Sequence, residues 1–209
     1  MKKIELAAAV VERLAARYPD GLCSLQYEHD YQLLFAVRLS AQCTDARVNT
    51  ITPILYGRYK SLQALAEADI ADIEAIVKPC GFFRTKAKDI VLAAQILIER
   101  HNGIVPDNMD DLLALPGVGR KTANLILGDV YGQPAIVADT HCIRISNRLG
   151  LCNSKDPAKV EQQLKKIVTP DAQNDLCHRF VLFGREVCVA RRAKCDICEL
   201  SDICIKKGI

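Results

Sequence analysis

The chain has 209 residues, of which half are hydrophobic and a quarter are charged, a composition typical of globular proteins. It excludes a disordered tail, a collagen-like chain and a linker-dominated protein, and the length suffices for one large domain or two small ones. No apolar stretch approaches the ~20 residues of a membrane span, and the charges of Glu12 and Arg13 argue against a signal peptide. The net charge of +3 permits nucleic-acid binding without requiring it.

Helical periodicity dominates the chain from its first segment, Ile4–Tyr18, where apolar residues recur every three to four positions. The same pattern predicts helices over Tyr31–Ala41, Val48–Tyr59, Leu62–Ala66, Ile70–Val77, Ala87–Ile98, Leu112–Leu115, Thr122–Val130, Cys142–Leu149, Val160–Val168 and Leu176–Val187. Residues suited to helix N-termini are Ser61, Asp69, Thr85, Asp107 and Asp156-Pro157. No alternating apolar–polar run indicates a strand. We therefore predict an all-α fold of about ten helices.

Basic residues predominate between positions 78 and 100. Two acidic residues, Asp89 and Glu99, stand against five basic ones, Lys78, Arg84, Lys86, Lys88 and Arg100. This local excess is suited to a phosphate backbone, and a solvated helix face is the alternative.

A glycine-containing turn separates two helical segments within Leu115–Ala123. Pro116 ends the first helix, and Gly117 and Gly119 permit a tight turn with positive φ and the close approach of another backbone. The next helix then begins near Arg120 and directs its unpaired N–H groups and its positive dipole end toward the turn, which suits a phosphate. A helix–helix turn without a ligand is the alternative.

Two residues near this turn are candidates for chemistry. Lys121 lies in the first turn of the second helix, where the helix dipole and burial would disfavour a cation, and a neutral amine can form a Schiff base with a sugar C1′. Its alternative role is a phosphate contact. Asp139 precedes the helix at Cys142–Leu149 and is suited to its N-cap. A capping carboxylate that stays ionised can also stabilise a developing sugar cation. His141 either reaches a phosphate or packs.

Ten cysteines in a chain without a recognisable export signal indicate a reduced compartment. Six are scattered in apolar surroundings, and we interpret them as small buried hydrophobes. The other four, spaced C-x6-C-x2-C-x5-C, are Cys188, Cys195, Cys198 and Cys204. They suit a [4Fe–4S] cluster or a zinc ion, and the lack of histidine and the wide first gap favour the cluster. Arg191, Arg192 and Lys194 between them balance the charge of the metal site, contact DNA phosphates, or do both.

Four segments carry a family resemblance when they are taken together. They are Leu39–Asp45 (LSAQ-x-TD), the turn at Leu115–Ala123, Asp139-Thr140-His141, and the C-x6-C-x2-C-x5-C spacing. In this order they resemble the endonuclease III family, over roughly residues 28 to 204. The resemblance implies a base excision repair enzyme for double-stranded DNA. Such an enzyme removes oxidised or ring-damaged pyrimidines and then cleaves the strand as a lyase at apurinic or apyrimidinic (AP) sites.

The resemblance also implies a fold and a set of site residues. The fold is two helical domains with a DNA groove between them: a six-helix domain at 22–132 carrying the helix-hairpin-helix motif at 115–123, and a discontinuous domain, 1–21 with 133–209, holding a [4Fe–4S] cluster on the four cysteines. Lys121 would be the Schiff-base nucleophile and Asp139 the catalytic carboxylate. The expected DNA contacts are Gln42, which fills the space left by the flipped nucleotide, Phe82, which wedges the opposite strand, and Lys86, Gly117, Gly119, Arg120, His141, Arg191, Arg192 and Lys194.

Two other functions are compatible with these residues. An adenine- or mismatch-specific glycosylase would share the scaffold, but such relatives commonly lack a lysine at the position of Lys121. The adenine-removing ones also carry a C-terminal recognition domain that we do not expect here. A non-catalytic DNA-binding or redox module would keep the turn and the cysteines, and the presence of both Lys121 and Asp139 argues against it. We expect a monomer in the cytoplasm, associated with the nucleoid through DNA.

Overall fold

A computed structural model describes residues 2–209, and over this range the fold is entirely helical. The eleven α-helices are α1 (Lys3–Arg17), α2 (Asp30–Ser40), α3 (Asp45–Arg58), α4 (Leu62–Ala66), α5 (Ile70–Val77), α6 (Phe83–His101), α7 (Met109–Ala114), α8 (Arg120–Asp129), α9 (Thr140–Leu149), α10 (Pro157–Lys165) and α11 (Gln173–Glu186). Short 3₁₀-helices lie at Lys78–Cys80 and Pro170–Ala172. The predicted all-α class is confirmed.

The chain divides into two compact units. The continuous unit, Ser24–Tyr131, contains α2 to α8, and the discontinuous unit joins Met1–Cys23 to Gly132–Ile209 and contains α1 and α9 to α11. The continuous unit thus has seven α-helices where the resemblance implied six, and one of them, α4, is only five residues long. No helix of the described residues is both long enough and apolar enough to cross a membrane.

Helices α2 and α6 form the centre of the continuous unit. Helix α2 is buried on nearly all sides, and five consecutive residues, Leu33 to Val37, are at most 5% exposed. A helix that is apolar all round belongs in a core. Helix α6, at 19 residues, packs against α2, α4 and α5 through a face that includes the small residues Ala87 and Ala94. The ends of these two buried helices hold the loops described below.

Helix starts follow side-chain caps more closely than they follow the apolar stripe. The predicted N-caps Ser61 and Asp69 are confirmed, since each accepts a hydrogen bond from a backbone N–H of the first turn. Thr85 lies in the first turn of α6, which begins after Phe82, as its prediction for an N-cap or first-turn position allows. The prediction at Asp107 is wrong, because Asn108 caps α7. Where the first turn of a helix is polar, the apolar pattern begins only after it. Helix starts that are predicted from periodicity therefore fall too late in several helices.

In the discontinuous unit, α9 and α1 both pack on α11. A side chain at Gly184 of α11 would overlap His141 and Arg144 of α9, so the glycine permits this close approach. Helix α1 buries Leu6, Val10 and Leu14 and also packs on α11. Arg13 of α1 forms a two-pronged ion pair with Asp202, which ties the helix to the cysteine-containing tail.

Candidate active site and DNA interface

The loop between α7 and α8 is a tight turn built on Pro116 and Gly117. The N–H of Val118 donates to the carbonyl of Leu115 at 3.2 Å, and Gly117 has a φ of +73°. Proline followed by a left-handed glycine is the signature of a type II β-turn. Gly119 differs from Gly117: its φ is −103° and it is the N-cap of α8. Only one of the two glycines is therefore required for its backbone conformation.

An ion pair lies directly beneath this turn. Arg38 of α2 donates through Nε and Nη2 to Oδ2 of Asp89 of α6, both at 2.7 Å. A Cβ atom on Gly117 would lie 2.5 Å from Asp89 Oδ2 and nearer still to Arg38 Nε. The turn is thus pressed against a charged pair from two core helices. The sequence analysis missed this pair because its members are 51 residues apart and neither belongs to a motif.

The start of α8 presents backbone donors and basic side chains. The first N–H groups of a helix have no partner inside the helix, and α8 has no side-chain cap. A Cβ on Gly119 would meet no atom within 4 Å, so the backbone there is open to an approaching group. Arg120 and Lys121 follow at once and are exposed. Lys121 is therefore not desolvated by burial, contrary to the expectation. The arrangement suits a phosphate backbone.

Asp139 caps α9 in the discontinuous unit. Its Oδ1 accepts the N–H of Cys142 at 2.7 Å, and its own N–H donates to the carbonyl of Val137. The preceding segment, Ala135 to Ala138, is buried, and Val137 N–H donates to the Cys177 sulfur. The cap does not involve Oδ2, and the carboxylate is half-buried. The structural role predicted for Asp139 is confirmed, and it leaves one oxygen for chemistry.

Gln42 and Phe82 are exposed on two loops of the continuous unit. Both have left-handed backbones, with φ of +55° and +48°. Few residues with a side chain adopt this conformation, and those that do are often held for function. The Phe82 residue is 65% exposed, which is unusual for a large apolar group, and it lines one cavity together with Gln42. Both side chains are therefore free of the core and able to make the predicted contacts.

Lys86 requires a correction. The sequence placed it among the DNA contacts, but its side chain is completely buried, and its Nζ donates to the carbonyls of Leu39, Ala41 and Cys80, each at 2.8 Å. Burial lowers the pKa of this lysine, and the neighbouring thiols of Cys80 and Cys43 act in the opposite direction. Lys86 cannot touch a phosphate in this structure, because doing so would break all three hydrogen bonds.

His141 and the basic residues of the tail differ in exposure. The His141 ring is half-buried, packs over Gly184, and has its Nδ1 3.2 Å from Arg144 Nη2. One edge of this ring is thus engaged within the unit. By contrast, three basic residues of the irregular tail are exposed: Arg191, Arg192 and Lys194. They are suited to phosphate contact.

The four cysteines of the tail line a single cavity, whose apolar wall includes Phe183 and Leu149. Arg148, a buried residue of α9, donates to the Cys188 sulfur at 3.4 Å and to the carbonyls of Val189 and Ala190. The N–H of Lys206 donates to the Cys204 sulfur at 3.3 Å. Donors aimed at cysteine sulfurs are typical of thiolates that hold a metal group. Arg148 carries no motif signal and was missed by the sequence analysis.

The spacing of the four sulfurs tests which metal group fits. A zinc–sulfur distance of about 2.3 Å in a tetrahedron places the sulfurs about 3.8 Å apart. Among the described residues, which include all four cysteines, no three of these sulfurs lie within 4.8 Å of one another. A cluster of four irons holds its thiolates further apart than one ion does. The four sulfurs are thus not drawn together as the ligands of one tetrahedral zinc ion would be.

Fold and site together define a helix-hairpin-helix protein with a reactive lysine candidate and a cavity lined by four cysteines. Residues 35–170 match the family model of the HhH-GPD superfamily base excision DNA repair protein. The chain is 44% identical over 204 residues to endonuclease III of Synechocystis sp., covering 97% of this chain and 93% of the relative. It is 38% identical to endonuclease III of Escherichia coli, with 93% and 92% covered.

Solved structures agree with these sequence relatives. A trapped endonuclease III–DNA covalent intermediate superposes with a TM-score of 0.92 at 37% identity, covering 99% of this chain and 97% of that one. A thermostable thymine-DNA glycosylase, at 21% identity and a TM-score of 0.86, shares the fold. The chain belongs to the HhH-GPD superfamily of base excision DNA repair proteins and, within it, to the endonuclease III family.

Proposed function

We propose that Lys121 and Asp139 carry the chemistry of this enzyme, a base excision repair DNA glycosylase and AP lyase for damaged pyrimidines in double-stranded DNA. The observation that carries the assignment is the start of α8. An exposed lysine lies in its first turn, directly after an uncapped, side-chain-free backbone that suits a phosphate. If the start of α8 binds a DNA phosphate, the lysine in its first turn lies beside the sugar–phosphate backbone. It is then nearer to a sugar than to the edge of a base.

The reaction begins with extrusion of the damaged nucleotide, which costs about a few kcal/mol of stacking and pairing. The neutral amine of Lys121 attacks C1′, the bond to the base breaks, and the base leaves with a proton. The C1′–O4′ bond then breaks, O4′ takes up a proton and the sugar ring opens, which leaves an iminium between the lysine nitrogen and C1′. This iminium acidifies the C2′ proton. Loss of that proton breaks the C3′–O bond by β-elimination and cuts the strand on the 3′ side.

Asp139 supplies negative charge while the sugar becomes cationic. Its Oδ1 is held by the Cys142 N–H, so the carboxylate is pre-oriented before substrate arrives. We assign Oδ2 to stabilising the sugar and to assisting proton transfer. Gln42 and Phe82 fill the space left by the extruded nucleotide and wedge the opposite strand. Gly117, Gly119, Arg120 and His141, together with the tail residues Arg191, Arg192 and Lys194, contact the backbone.

A [4Fe–4S] cluster on Cys188, Cys195, Cys198 and Cys204 orders the tail. The cavity, the sulfur spacing and the donors from Arg148 and Lys206 support this group. Burial raises the pKa of the Cys198 and Cys204 thiols, so binding must displace their protons. When bound, the cluster supplies structural order and a charge that the neighbouring basic residues offset. Bond breaking uses Lys121 and Asp139 alone, and the protein acts in the cytoplasm on nucleoid DNA.

Borohydride trapping on an abasic duplex tests this function directly. The wild-type protein should form a stable covalent adduct with the DNA, because borohydride reduces an iminium to an amine. Lys121→Gln should form none while its melting temperature and its affinity for intact duplex stay close to wild type. The trapped endonuclease III–DNA covalent intermediate is the precedent for such an adduct in a relative.

Two results would contradict the assignment. A trapped adduct in Lys121→Gln would identify another amine as the nucleophile. Base release by the wild type without any adduct would favour a glycosylase that lacks lyase activity, the adenine- or mismatch-specific alternative.

A further inference from the structure

The buried charge of Lys86 has no part in the chemistry proposed above. Its three N–H groups are all used, one on each of three carbonyls at 2.8 Å. A neutral amine offers only two N–H donors, so this set requires the ammonium form. A charge buried without a carboxylate partner is costly, and proteins retain it where it holds other groups in place.

The three carbonyls belong to two separate helix ends. Leu39 and Ala41 lie at the C-terminus of α2, and Cys80 is the last residue of the 3₁₀-helix at Lys78–Cys80. Carbonyls at a helix C-terminus lack partners within the helix and carry partial negative charge, which favours a cation. One ammonium therefore donates hydrogen bonds to the free carbonyls of both helix ends.

Two of the held carbonyls stand next to left-handed turns that present exposed side chains. Ala41 immediately precedes Gln42, whose φ is +55°. Cys80 precedes Gly81 and Phe82, with φ of +69° and +48°. Left-handed residues with side chains persist only where their surroundings hold them. The Gln42 and Phe82 side chains line one cavity, and Lys86 lies in its wall.

We propose that Lys86 is a positioning residue that joins the Gln42 and Phe82 loops into one rigid element. The proposal rests on the proposed function, in which these two side chains enter the duplex as the damaged nucleotide leaves it. Both side chains must then arrive together in a fixed relation. If the loops moved independently, the duplex would close again before the nucleotide was captured, and the extruded state would be less populated.

Lys86→Met, which keeps the length of the side chain and removes its donors, tests this role. Base release is measured on two duplexes: one with dihydrothymine paired to adenine, and one with the same lesion inside a short unpaired bubble. The paired duplex should lose about tenfold to a hundredfold in rate, because extrusion is the affected step. The bubble substrate, already unstacked, should change by less than about threefold. Fluorescence of 2-aminopurine beside the paired lesion should show less unstacking.

Lys88→Met is the matched control, since it removes the same charge from an exposed position of the same helix. It should affect both duplexes alike. A double-variant comparison adds a second control. In a Gln42→Ala, Phe82→Ala background, Lys86→Met should cause no further loss on the paired duplex, because the side chains that it positions are already gone.

Three outcomes would overturn the proposal. They are equal losses on both duplexes, an undiminished effect of Lys86→Met in the double-alanine background, and failure of both Lys86→Met and Lys86→Arg to fold, which would make Lys86 a core residue only. Failure of the proposed function is recognised separately, because the wild type would then give no borohydride adduct.

Discussion

The turn at Leu115–Gly119 and the tail at Cys188–Cys204 are both short loops beside helix ends, yet they are ordered differently. The turn packs on core helices: it has a backbone hydrogen bond, a left-handed glycine and the Arg38–Asp89 pair beneath it. The tail contains no regular helix and surrounds a cavity lined by four sulfurs. Arg13 and Arg148 donate to its backbone carbonyls from neighbouring helices.

The difference separates order that the chain supplies itself from order that we attribute to the proposed metal group. The turn has apolar neighbours that are fully buried, such as Leu112 and Leu115 at no more than 3% exposure. The tail is mostly exposed or half-buried, with Leu200 as its one fully buried apolar residue between Cys188 and Cys204. Too little apolar surface is buried there to offset the conformational entropy of ordering the loop.

The largest effect is expected at Asp139, which caps α9 and to which we assign the role of catalytic carboxylate. Asp139→Asn should keep the N-cap, since asparagine caps about as well as aspartate. It removes the charge beside the sugar, and base release should fall about a hundredfold or more. Single-turnover base release and thermal unfolding measure the two effects separately.

Asp156→Asn is the matched control for that change. Asp156 caps α10 through the N–H of Lys159 at 2.9 Å, so the same substitution at a cap should leave base release unchanged. If Asp139→Asn lowers the melting temperature sharply and spares the rate, Asp139 is a structural cap only.

Loss of a cluster ligand should damage the tail and the helices packed beside it. The wild type, purified without chelators under reducing conditions, should be yellow-brown and contain about four irons per chain. Cys198→Ser should lose iron and give poorly soluble protein, because the contacts that remain bury too little apolar surface to order the tail. Elemental analysis and visible absorbance measure this.

Cys152→Ser changes another buried cysteine of the same unit, whose sulfur lies 3.9 Å from the carbonyl of Val160. It should keep its full iron content. Stoichiometric zinc in a colourless, active wild-type protein would contradict the cluster assignment. The tail would then no longer be an example of order supplied by an iron–sulfur cluster.

The two glycines of the turn should respond differently to alanine. Gly117→Ala forces a side chain into a left-handed backbone, which costs about 1–2 kcal/mol, and it also displaces the Arg38–Asp89 pair. Gly119→Ala has ordinary φ and open space, so it should cost only the poorer N-capping of alanine, about 0.5–1 kcal/mol. Denaturant unfolding measures both variants. Equal destabilisation would show that the turn is not supported from beneath as described.

The smallest effect is expected from the charges of the tail. Changing Arg191, Arg192 and Lys194 together to glutamine should leave iron content unchanged and weaken duplex binding. The slope of log affinity against log salt should flatten by about 0.9 for each phosphate that the variant no longer neutralises. Glutamine at the exposed Lys155, Lys159 and Lys166 removes the same charge elsewhere in the unit. If both triple variants flatten the slope equally, the tail makes no specific DNA contact.

Local signals made much of this protein predictable. Apolar periodicity predicts a helical segment within each observed α-helix, since nearly every helix buries one apolar face. Caps such as Ser61 and Asp139 are visible because the capping oxygen is adjacent to its helix in sequence. The hairpin glycines and the cysteine spacing are likewise short-range patterns. Their meaning came from the order of four motifs, which is more specific than any one of them.

Other features depend on residues that are distant in sequence. In the sequence, Lys86 is one basic residue among several in a charged stretch. Folding brings its ammonium to carbonyls up to 47 residues away, so a residue that was predicted to contact phosphate is buried instead. The Arg38–Asp89 pair and Arg148 are hidden for the same reason. Sequence alone determined the helices, the motifs and the family, because these depend on local periodicity and spacing. Only the tertiary structure decided which charges are buried and what they hold, because burial and hydrogen bonding are set by neighbours that the chain brings together on folding.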